Sequence, residues 1–306
     1  VQAGTLKRIR YVYVPEVDLA TMPPDLPVVI TRSVIGELRG YGAEREALFG
    51  FGGFVAGDLH LGKKWTGAKN RSPAIPPAQL GELGLDKAIV LGDAHNEGVQ
   101  LQGRFAQFVF TLFEGQADFS AMDVGQHCDF RYASFAGPTT FRRAVLHGPT
   151  HFGHTRYGDS ADFTGMVVAT RRAHFNSARF AGDAQLEAVD WRQGGTLEDA
   201  EIGGTLRLDR GRFGARTNLS RARIHGGVQA REMVAHGMDF FGVELHGTSR
   251  FTDSVFDGHV RFSLDEVTYR DFADRLDELH KLYKLYQGDE DATEDLTSRS
   301  AYGVET

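Results

Sequence analysis

The stretch ADFSAMDVGQHCDFRYASFAGPTTFRRAVLHGPTHFGHTRYGDSADF, residues 117–163, decides the fold of this chain. A large apolar residue returns in it in steps of five and six, as Phe119, Val124, Phe130, Phe135, Phe141, Leu146, Phe152, Tyr157 and Phe163. An α-helix spaces its apolar face by three and four and a flat strand by two, so neither explains this period. A repeat of about eleven residues, sustained as far as Val267, is typical of a solenoid.

A second, smaller residue stands two positions before most of the large ones. The smaller residues include Ala117, Cys128, Ala133, Thr139, Ala144, Thr150, Thr155 and Ala161. Each segment of five or six residues therefore points two side chains inward, and its other positions are rich in Asp, Arg, Gly, Ser and His. Four such segments make a square turn of about 22 residues. Equivalent residues then stack near the ~4.8 Å spacing of neighbouring strands.

The repeating unit resembles that of the pentapeptide-repeat family, in which a small residue, Asp or Asn, and Leu or Phe precede two polar residues. It occurs here as ADFSA (117–121), CDFRY (128–132) and ADFTG (161–165). The alternating spacing of five and six is similar to the Phe-rich branch of that family. The resemblance implies an all-β fold, a right-handed quadrilateral β-helix.

The same pattern extends towards the N-terminus in a ragged form. Pairs of inward residues are predicted over 28–116 as Val28 with Ile30, Ser33 with Ile35, Leu59 with Leu61, Ile89 with Leu91, Val99 with Leu101, Ala106 with Phe108, and Thr111 with Phe113. The β-helix is therefore predicted over 28–270, with regular coils over 117–267. Residues 1–27 contain four prolines and do not repeat, so we expect a capping segment there.

Residues 62–86 do not match the repeat and are predicted to form a loop expelled from the coil. The segment contains three prolines and a group of basic and aromatic residues, namely Lys63, Lys64, Trp65, Lys69 and Arg71. Long loops on rigid scaffolds often carry function, so these five residues are candidate contacts for a partner. An insertion without a partner explains the segment equally well.

The period changes at the C-terminus. Apolar residues spaced by four and three form one helical stripe of Phe272, Leu276, Leu279, Tyr283 and Tyr286, which predicts a short α-helix over 271–287. A helix of this length is marginal alone, so it must pack either on the last coil as a cap or on a second copy as a homodimer contact. Residues 288–306 are acidic and polar and are predicted to be a tail.

Charge and cysteine content limit the function classes. The chain has a net charge of −7, of which 271–306 holds −6 (ten acidic and four basic side chains), so the stretch 1–270 holds −1. No apolar run approaches the roughly 20 residues that a membrane-spanning helix needs, so no membrane span is expected. The single Cys128 occupies an inward position, which predicts a core thiol. These features favour a cytoplasmic protein without a cofactor.

Histidines are the only candidates for a metal site. His225 and His246 each follow a core position and lie about one coil apart, so they are weak candidate ligands. Surface histidines at turns are the more ordinary interpretation. His147, His151 and His154 are close in sequence, but no acid, thiol or nucleophile arrangement accompanies them, so no catalytic site is predicted.

Two classes of function remain. The first is a non-enzymatic scaffold that recognises another macromolecule through its faces, the loop or the C-terminal helix. The second, implied by the family resemblance, is a DNA mimic that binds a type II topoisomerase, DNA gyrase, and inhibits or protects it. A DNA mimic needs a strongly acidic rod, whereas the predicted coil is nearly neutral. Direct binding of nucleic acid is not expected for either class.

Overall fold

The protein is an all-β solenoid in the computed structural model, which describes residues 7–25, 27–51, 54–64 and 75–262. These residues form 37 strands and one short 3₁₀ turn, Leu19–Thr21, wound into eleven coils and the first strand of a twelfth. Each regular coil has four short strands, one on each face. The predicted all-β quadrilateral β-helix is therefore confirmed.

The first four coils contain the longer strands, several of which run around a corner and so cover two faces. These are β1 (Lys7–Arg10), β2 (Tyr13–Asp18), β3 (Val28–Thr31), β4 (Val34–Arg39), β5 (Glu44–Phe51), β6 (Val55–His60), β7 (Gln79–Gly84), β8 (Ile89–Val90) and β9 (Ala94–His95).

The following coils use strands of two or three residues until the last turns. These are β10 (Gln100–Leu101), β11 (Phe105–Gln107), β12 (Leu112–Phe113), β13 (Ala117–Asp118), β14 (Asp123–Val124), β15 (His127–Asp129), β16 (Ser134–Phe135), β17 (Thr139–Thr140), β18 (Val145–Leu146), β19 (Thr150–His151), β20 (Arg156–Tyr157), β21 (Ala161–Asp162), β22 (Val167–Val168), β23 (Ala173–His174), β24 (Arg179–Phe180), β25 (Ala184–Gln185), β26 (Asp190–Trp191), β27 (Gly195–Thr196), β28 (Glu201–Ile202), β29 (Leu206–Arg207), β30 (Arg212–Phe213), β31 (Thr217–Asn218), β32 (Arg223–Ile224), β33 (Val228–Arg231), β34 (Val234–Phe240), β35 (Glu244–Leu245), β36 (Arg250–Thr252) and β37 (Val255–Phe262).

Parallel pairing between successive coils holds the stack together. Two consecutive strands of each coil belong to an 18-stranded sheet and the next two to a 19-stranded sheet. Ala117 pairs with Thr139, which pairs with Ala161, so one regular coil separates each of these residues from the next. Because every strand sits on its equivalent in the next coil, each column of side chains runs along the long axis of the solenoid.

The inward positions are those predicted from the five-and-six spacing. From Phe119 to Phe240 all the predicted large residues are buried, and so are the small residues that precede them, such as Ala117 and Cys128. The rings stack along the axis: Phe141 and Phe163 are parallel, with centroids 5.2 Å apart. Phe163 also meets Phe175 edge to face at 5.1 Å. The core is thus one continuous aromatic and aliphatic column.

Two kinds of corner let the chain turn so tightly. At one pair of opposite corners the backbone is left-handed even at non-glycine residues, as at Tyr132 (φ 60°) and Arg143 (φ 56°). At another corner the coils approach too closely for a side chain. A Cβ on Gly137 would lie 2.5 Å from the carbonyl oxygen of Gly115 in the coil before it. The short repeat therefore depends on these corners as well as on the core.

Removing one ring of the stack should destabilise the whole rod. We expect Phe163→Ala to lower the free energy of unfolding by about 3–5 kcal/mol, since the ring is fully buried and the cavity cannot collapse between two fixed coils. Urea denaturation followed by circular dichroism measures this loss. An unchanged midpoint would contradict the inward assignment, and Tyr132→Ala, at an exposed corner, is the control.

The first coil begins earlier than the sequence indicated. Residues 1–27 were predicted to form a cap, yet Lys7–Arg10 pairs in parallel with Val28–Thr31, and Tyr13–Asp18 pairs with Val34–Arg39. The segment therefore contributes strands to the stack, and Pro15, one of its four prolines, lies within the strand Tyr13–Asp18. Within the described ranges, the strand that contains Pro15 pairs on one side only, with Val34–Arg39, and edge strands tolerate a residue without an N–H.

The predicted expelled loop over 62–86 is also corrected. Gln79–Gly84 is a strand of the stack, paired with Glu44–Phe49 before it and with the next coil after it. Its buried Leu80 and Leu83 are only three residues apart, so the five-and-six spacing fails although both point inward. The excursion is therefore shorter: Lys64 and Ile75 pair in an antiparallel bridge at its base.

A polar residue occupies one core position. Asn96 is 2% exposed and lies in register between Leu61 and Phe119, and the two coils after Phe119 also have Phe at this position. Within the part of the chain that the structure describes, neither its amide nitrogen nor its amide oxygen has a hydrogen-bond partner. A buried polar group without a partner costs free energy, so this coil is less stable than its neighbours.

Replacing this residue should stabilise the protein. We expect Asn96→Leu to raise the free energy of unfolding by about 1–2 kcal/mol, because the desolvated amide is replaced by a side chain that suits the column. The shift of the urea midpoint reports the change. Leu61→Asn should do the opposite, and a loss of stability in Asn96→Leu would show that the amide is satisfied.

The predicted C-terminal helix over 271–287, with Phe272, Leu276, Leu279, Tyr283 and Tyr286, lies outside the described residues, as does the tail over 288–306. It stays a prediction. Among the described residues no helix is both long and apolar enough to span a membrane.

Candidate binding surface

One outward column changes character along the solenoid. Parallel pairing stacks eleven residues, one from each coil, and we call them the central column: Tyr13, Val34, Val55, Ile89, Leu112, Ser134, Arg156, Arg179, Glu201, Arg223 and Glu244. The first five are apolar, and the last five are charged. The same surface of the rod is therefore apolar over coils one to five and ionic over coils seven to eleven.

The neighbouring corner carries aromatic side chains at the same level. Phe110 and Tyr132 occupy consecutive left-handed corner positions, and their rings stack with centroids 4.8 Å apart. His154 continues the stack at 4.7 Å from Tyr132. Tyr11 stands at the equivalent corner of the first coil. Corner residues have no neighbour on their outer side, so these rings project from the rod.

Exposed apolar side chains are concentrated on this surface. The described residues include ten exposed large hydrophobic side chains, and six of them lie here, including Tyr13 at 69% and Leu91 at 56% exposed. We define the apolar face as Tyr11, Tyr13, Val34, Val55, Ile89, Leu91, Phe110, Leu112 and Tyr132. Scattered exposed hydrophobic residues are ordinary, but a contiguous group on one face marks an interaction site.

Sequence reasoning placed two residues of this face in the core. Ile89 and Leu91 were predicted to point inward, but the inward pair is Ala88 and Val90. Four consecutive apolar residues, Ala88–Leu91, fit both registers, and a shift of one residue reverses which side chains face the core. The apolar face could have been predicted from its column of outward apolar residues. That column can be recognised only when the register of the coils is known.

Cations surround the apolar face. The Arg10 guanidinium lies 4.6 Å and that of Arg32 5.5 Å from the centroid of the Tyr11 ring. Hydrogen bonds from Arg32 and Arg10 to its hydroxyl lower the pKa of Tyr11. Lys87 occupies the corner before Phe110, and Arg156 follows the apolar half of the central column. In the described ranges none of these four cations has a carboxylate within ion-pair distance.

Beyond the apolar face the surface becomes a polar groove of about 830 Å³, bordered by the corner and central columns from Phe110 to Glu244. Its arginines are mostly neutralised. Arg221 contacts Asp199 at 2.7 Å and Glu198 at 2.6 Å, and Arg223 contacts Glu244 at 2.9 Å. Most arginines on this half of the surface are therefore paired with carboxylates.

In the first three coils Glu16, Glu37 and Asp58 stack in register, and Arg39 pairs with the first two. The carboxylates of the described residues do not continue this stack along the length of the rod. Many lie beside an arginine: besides the groove pairs, Asp162 contacts Arg142 at 3.2 Å and Asp183 contacts Arg207 at 3.1 Å. A surface of alternating ion pairs differs from the continuous negative charge of a DNA backbone. The charge distribution gives the DNA-mimic alternative no support.

Two of the predicted loop contacts, Lys63 and Lys64, lie away from the apolar face. Lys63 pairs with Glu97 at 2.7 Å, and the Lys64 ammonium lies 5.2 Å from the centroid of the Tyr41 ring. Trp65, Lys69 and Arg71 are outside the described residues. The structure thus shows two of the five candidates, both held against the rod at the base of the excursion.

The candidate metal ligands are brought together but poorly oriented for a shared ion. The His225 and His246 rings stack in parallel with centroids 5.0 Å apart. Nitrogens of parallel rings at this distance cannot both approach one ion at the ~2.0 Å of a zinc bond without rearrangement. Nowhere in the described ranges do three or more His, Cys, Asp or Glu side chains form a group that could hold a metal.

A second histidine ladder lies on another face. His151 and His174 are half-buried and stacked with centroids 4.9 Å apart. Burial is the main cause that lowers both pKa values, and His174 contributes further to the shift of His151. By contrast, His147 contacts Asp123 at 3.2 Å and His154 stacks on Tyr132, so the three histidines that are close in sequence diverge in space.

This ladder should make stability sensitive to acid. Because the folded pKa values are lowered, the unfolded chain binds protons first, and stability present above pH ~6.5 is lost as the pH falls below it. We expect the melting temperature to fall less between pH 7 and 5 in His151→Gln/His174→Gln than in the unmodified protein. Replacing the exposed His154 is the control, and parallel pH profiles for all three proteins would contradict the assignment.

Comparison of the chain with protein-family models, with curated proteins and with solved structures found no match. The resemblance to pentapeptide-repeat proteins therefore stays a prediction from the sequence pattern, and the candidate surface is argued from its own geometry.

Proposed function

We propose that this protein is a non-enzymatic binding protein whose solenoid presents the apolar face to a protein partner. The observation that carries the proposal is a cluster on one surface of the first six coils, which holds six of the ten exposed large hydrophobic side chains among the described residues. The same column in later coils is ionic, so exposure of apolar residues is not a general property of the repeat.

The size of the face suits a specific contact. It spans coils one to six, about 24 Å along the axis at the ~4.8 Å strand spacing. Its exposed side chains offer on the order of 600 Å², close to the roughly 800 Å² that each partner contributes to a standard interface. Tyr and Arg, the residue types enriched at energetic centres of interfaces, are both present, as in Tyr11 with Arg32.

The fold keeps this face rigid before any partner arrives. The N–H groups of Val34, Val55 and Leu112 each donate to a carbonyl of the preceding coil at 2.9–3.0 Å. Behind them, the inward neighbours Ile35, Ala56 and Phe113 are fully buried. A surface fixed in this way loses little conformational entropy on binding, which favours affinity.

Other contact regions remain part of the proposal as predictions from the sequence. The excursion with Lys63, Lys64, Trp65, Lys69 and Arg71 would provide further contacts to a partner. The C-terminal stripe would serve as a cap or a homodimer contact.

Site-specific photo-cross-linking in the native host tests the apolar face. We expect a benzophenone amino acid at Leu91 to give a discrete cross-linked product with another protein, and the same probe at the exposed Ala181 to give none. The two sites belong to the same outward column, because each follows its central-column residue by two positions. Equal products at both sites, or none at either, would remove the proposal.

A further inference from the structure

We infer that the apolar face receives the same face of a second copy of this chain, in a dimer whose two rods lie side by side and point in the same direction. The second copy is then the protein partner of the proposed function, on which this step rests. Charge, side-chain size and the central column all favour the same arrangement.

The two edges of the face carry opposite charges. The corner before the central column, which we call the basic edge, has Arg10, Arg32 and Lys87. The corner after it, the acidic edge, has Glu16, Glu37, Asp58 and Asp93 in successive coils. Arg39 on the next face is shared by the first two carboxylates, and the other two have only histidines within ion-pair distance in the described ranges. Neither edge is therefore neutralised within one copy.

Two further carboxylates do not change this division. Glu114 lies on the acidic side, two positions after Leu112 of the central column. Asp86 is next to Lys87 on the basic side, but its side chain is half-buried and accepts the Val109 N–H.

One rotation brings the two edges together. A twofold axis parallel to the rods, placed between two facing copies, exchanges the edges and keeps every coil at its own level. The residues that then face each other are Arg10 and Glu16 in coil one, Arg32 and Glu37 in coil two, and Lys87 and Asp93 in coil four. A twofold axis across the rods would place each edge against itself, and like charges would oppose association. Charge therefore selects rods that point in the same direction.

Side-chain size is complementary under the same rotation. The described residues two positions before the central column are large, namely Tyr11, Arg32, Lys87, Phe110 and Tyr132. Most residues two positions after it are small, namely Pro15, Gly36, Gly57 and Ala136. A Cβ on Gly36 or Gly57 would collide with a carbonyl oxygen of the preceding coil, so this edge is low. Tyr11 of one copy therefore fits over Pro15 of the other, and the Lys87 stem covers Leu91.

The central column lies on the twofold axis, so each of its residues meets its own copy. From Tyr13 to Leu112 the meeting side chains are apolar, which favours association. At Arg156 two guanidiniums would repel, but Asp159 of the second copy lies at the same level. In the described ranges neither Arg156 nor Asp159 has an ion-pair partner in its own copy. Arg179 in the next coil is already paired with Glu201, so the contact ends near coil seven.

The area of the face suits a reversible dimer. About 600 Å² from each copy gives a total of about 1,200 Å², at the lower limit of specific interfaces. We therefore expect a dissociation constant in the micromolar range.

Sedimentation equilibrium of the full chain tests this dimer. We expect a monomer–dimer equilibrium that Val34→Glu weakens roughly tenfold or more, because two new carboxylates meet on the axis. The matched control is Val255→Glu, since Val255 is 45% exposed against 43% for Val34 but belongs to the other sheet. A dimer that Val34→Glu leaves unchanged would place the contact elsewhere, for example at the predicted C-terminal helix, and would overturn the inference.

Charge exchange at coil four tests the pairing of the edges. Lys87→Glu and Asp93→Lys should each weaken the dimer, because like charges then face each other. An equimolar mixture of the two variants should associate again, because every charge at this level then faces an opposite one. Melting temperatures control for loss of the Gln116 N–H that Asp93 accepts. Folded variants that fail to associate in the mixture would contradict the pairing.

Cysteine cross-linking tests the direction of the rods. Val34→Cys and Leu112→Cys should each give a product of two copies with a short bismaleimide, which spans facing sheets ~10 Å apart. The buried Cys128 is not accessible to the reagent. Antiparallel rods centred on the face would cross-link only a mixture of the two variants, and that result would overturn the inference.

The partner found at Leu91 separates this inference from the proposed function. A second copy predicts a photo-cross-linked product of twice the mass of the chain. A chain that stays monomeric up to about 100 μM rejects the dimer. In that case a cross-link to a different protein would leave the proposed function intact, and no cross-link would remove both. Binding of the monomer to phosphatidylserine vesicles, abolished by Val34→Glu, would assign the face to a membrane surface instead.

Discussion

Parallel stacking of coils at the strand spacing is the constraint on which the whole structure depends. It places each residue directly over its equivalent in the preceding coil, as Ala117, Thr139 and Ala161 show. Inside the rod, this geometry aligns similar residues in continuous columns. The stacked rings are buried from water and make favourable contacts with one another. The corners follow from the same constraint, because a coil this short must turn at left-handed residues and at glycines packed against backbone.

The same stacking operates on the outer surface, where it brings charged side chains of neighbouring coils close together. Like charges stacked at the ~4.8 Å strand spacing repel, so a charged column needs opposite signs in neighbouring coils or a counter-charge beside it, as Arg39 provides for Glu16 and Glu37. Arg223 and Glu244, 2.9 Å apart, satisfy this requirement. Arg156 and Arg179 are directly paired in register, and only Arg179 has a carboxylate, Glu201 at 3.6 Å. The break in alternation thus falls where the apolar half of the central column ends.

The regular coils could be predicted from the sequence because the five-and-six spacing, with one-residue slips after Val168 and after Ala235, accounts for the large buried residues from Phe119 to Phe240. The earlier coils could not be predicted in full, since their corners change length and their apolar residues fit two registers. Ala88–Leu91 was predicted one residue out of register, and Leu80 and Leu83 were assigned to a loop. The first coil was not recognised because its strand contains Pro15. Asn96 was missed because a polar residue in the core gives no periodic signal. The binding surface depends on the register and so escaped sequence reasoning.

One alternative explanation for the apolar half of the central column is that it only stabilises the rod in the absence of a partner. Stacked aliphatic residues do support one another across strands by about 0.2–1 kcal/mol per pair, and Val55, Ile89 and Leu112 gain in this way. That gain does not account for Tyr13, Leu91 or Phe110, which remain more than half exposed in the described chain. The ionic pairs of the later coils connect neighbouring strands without leaving apolar surface in water. Burial of these exposed side chains therefore requires a surface from outside the described residues, and on this ground we propose the face as a binding site.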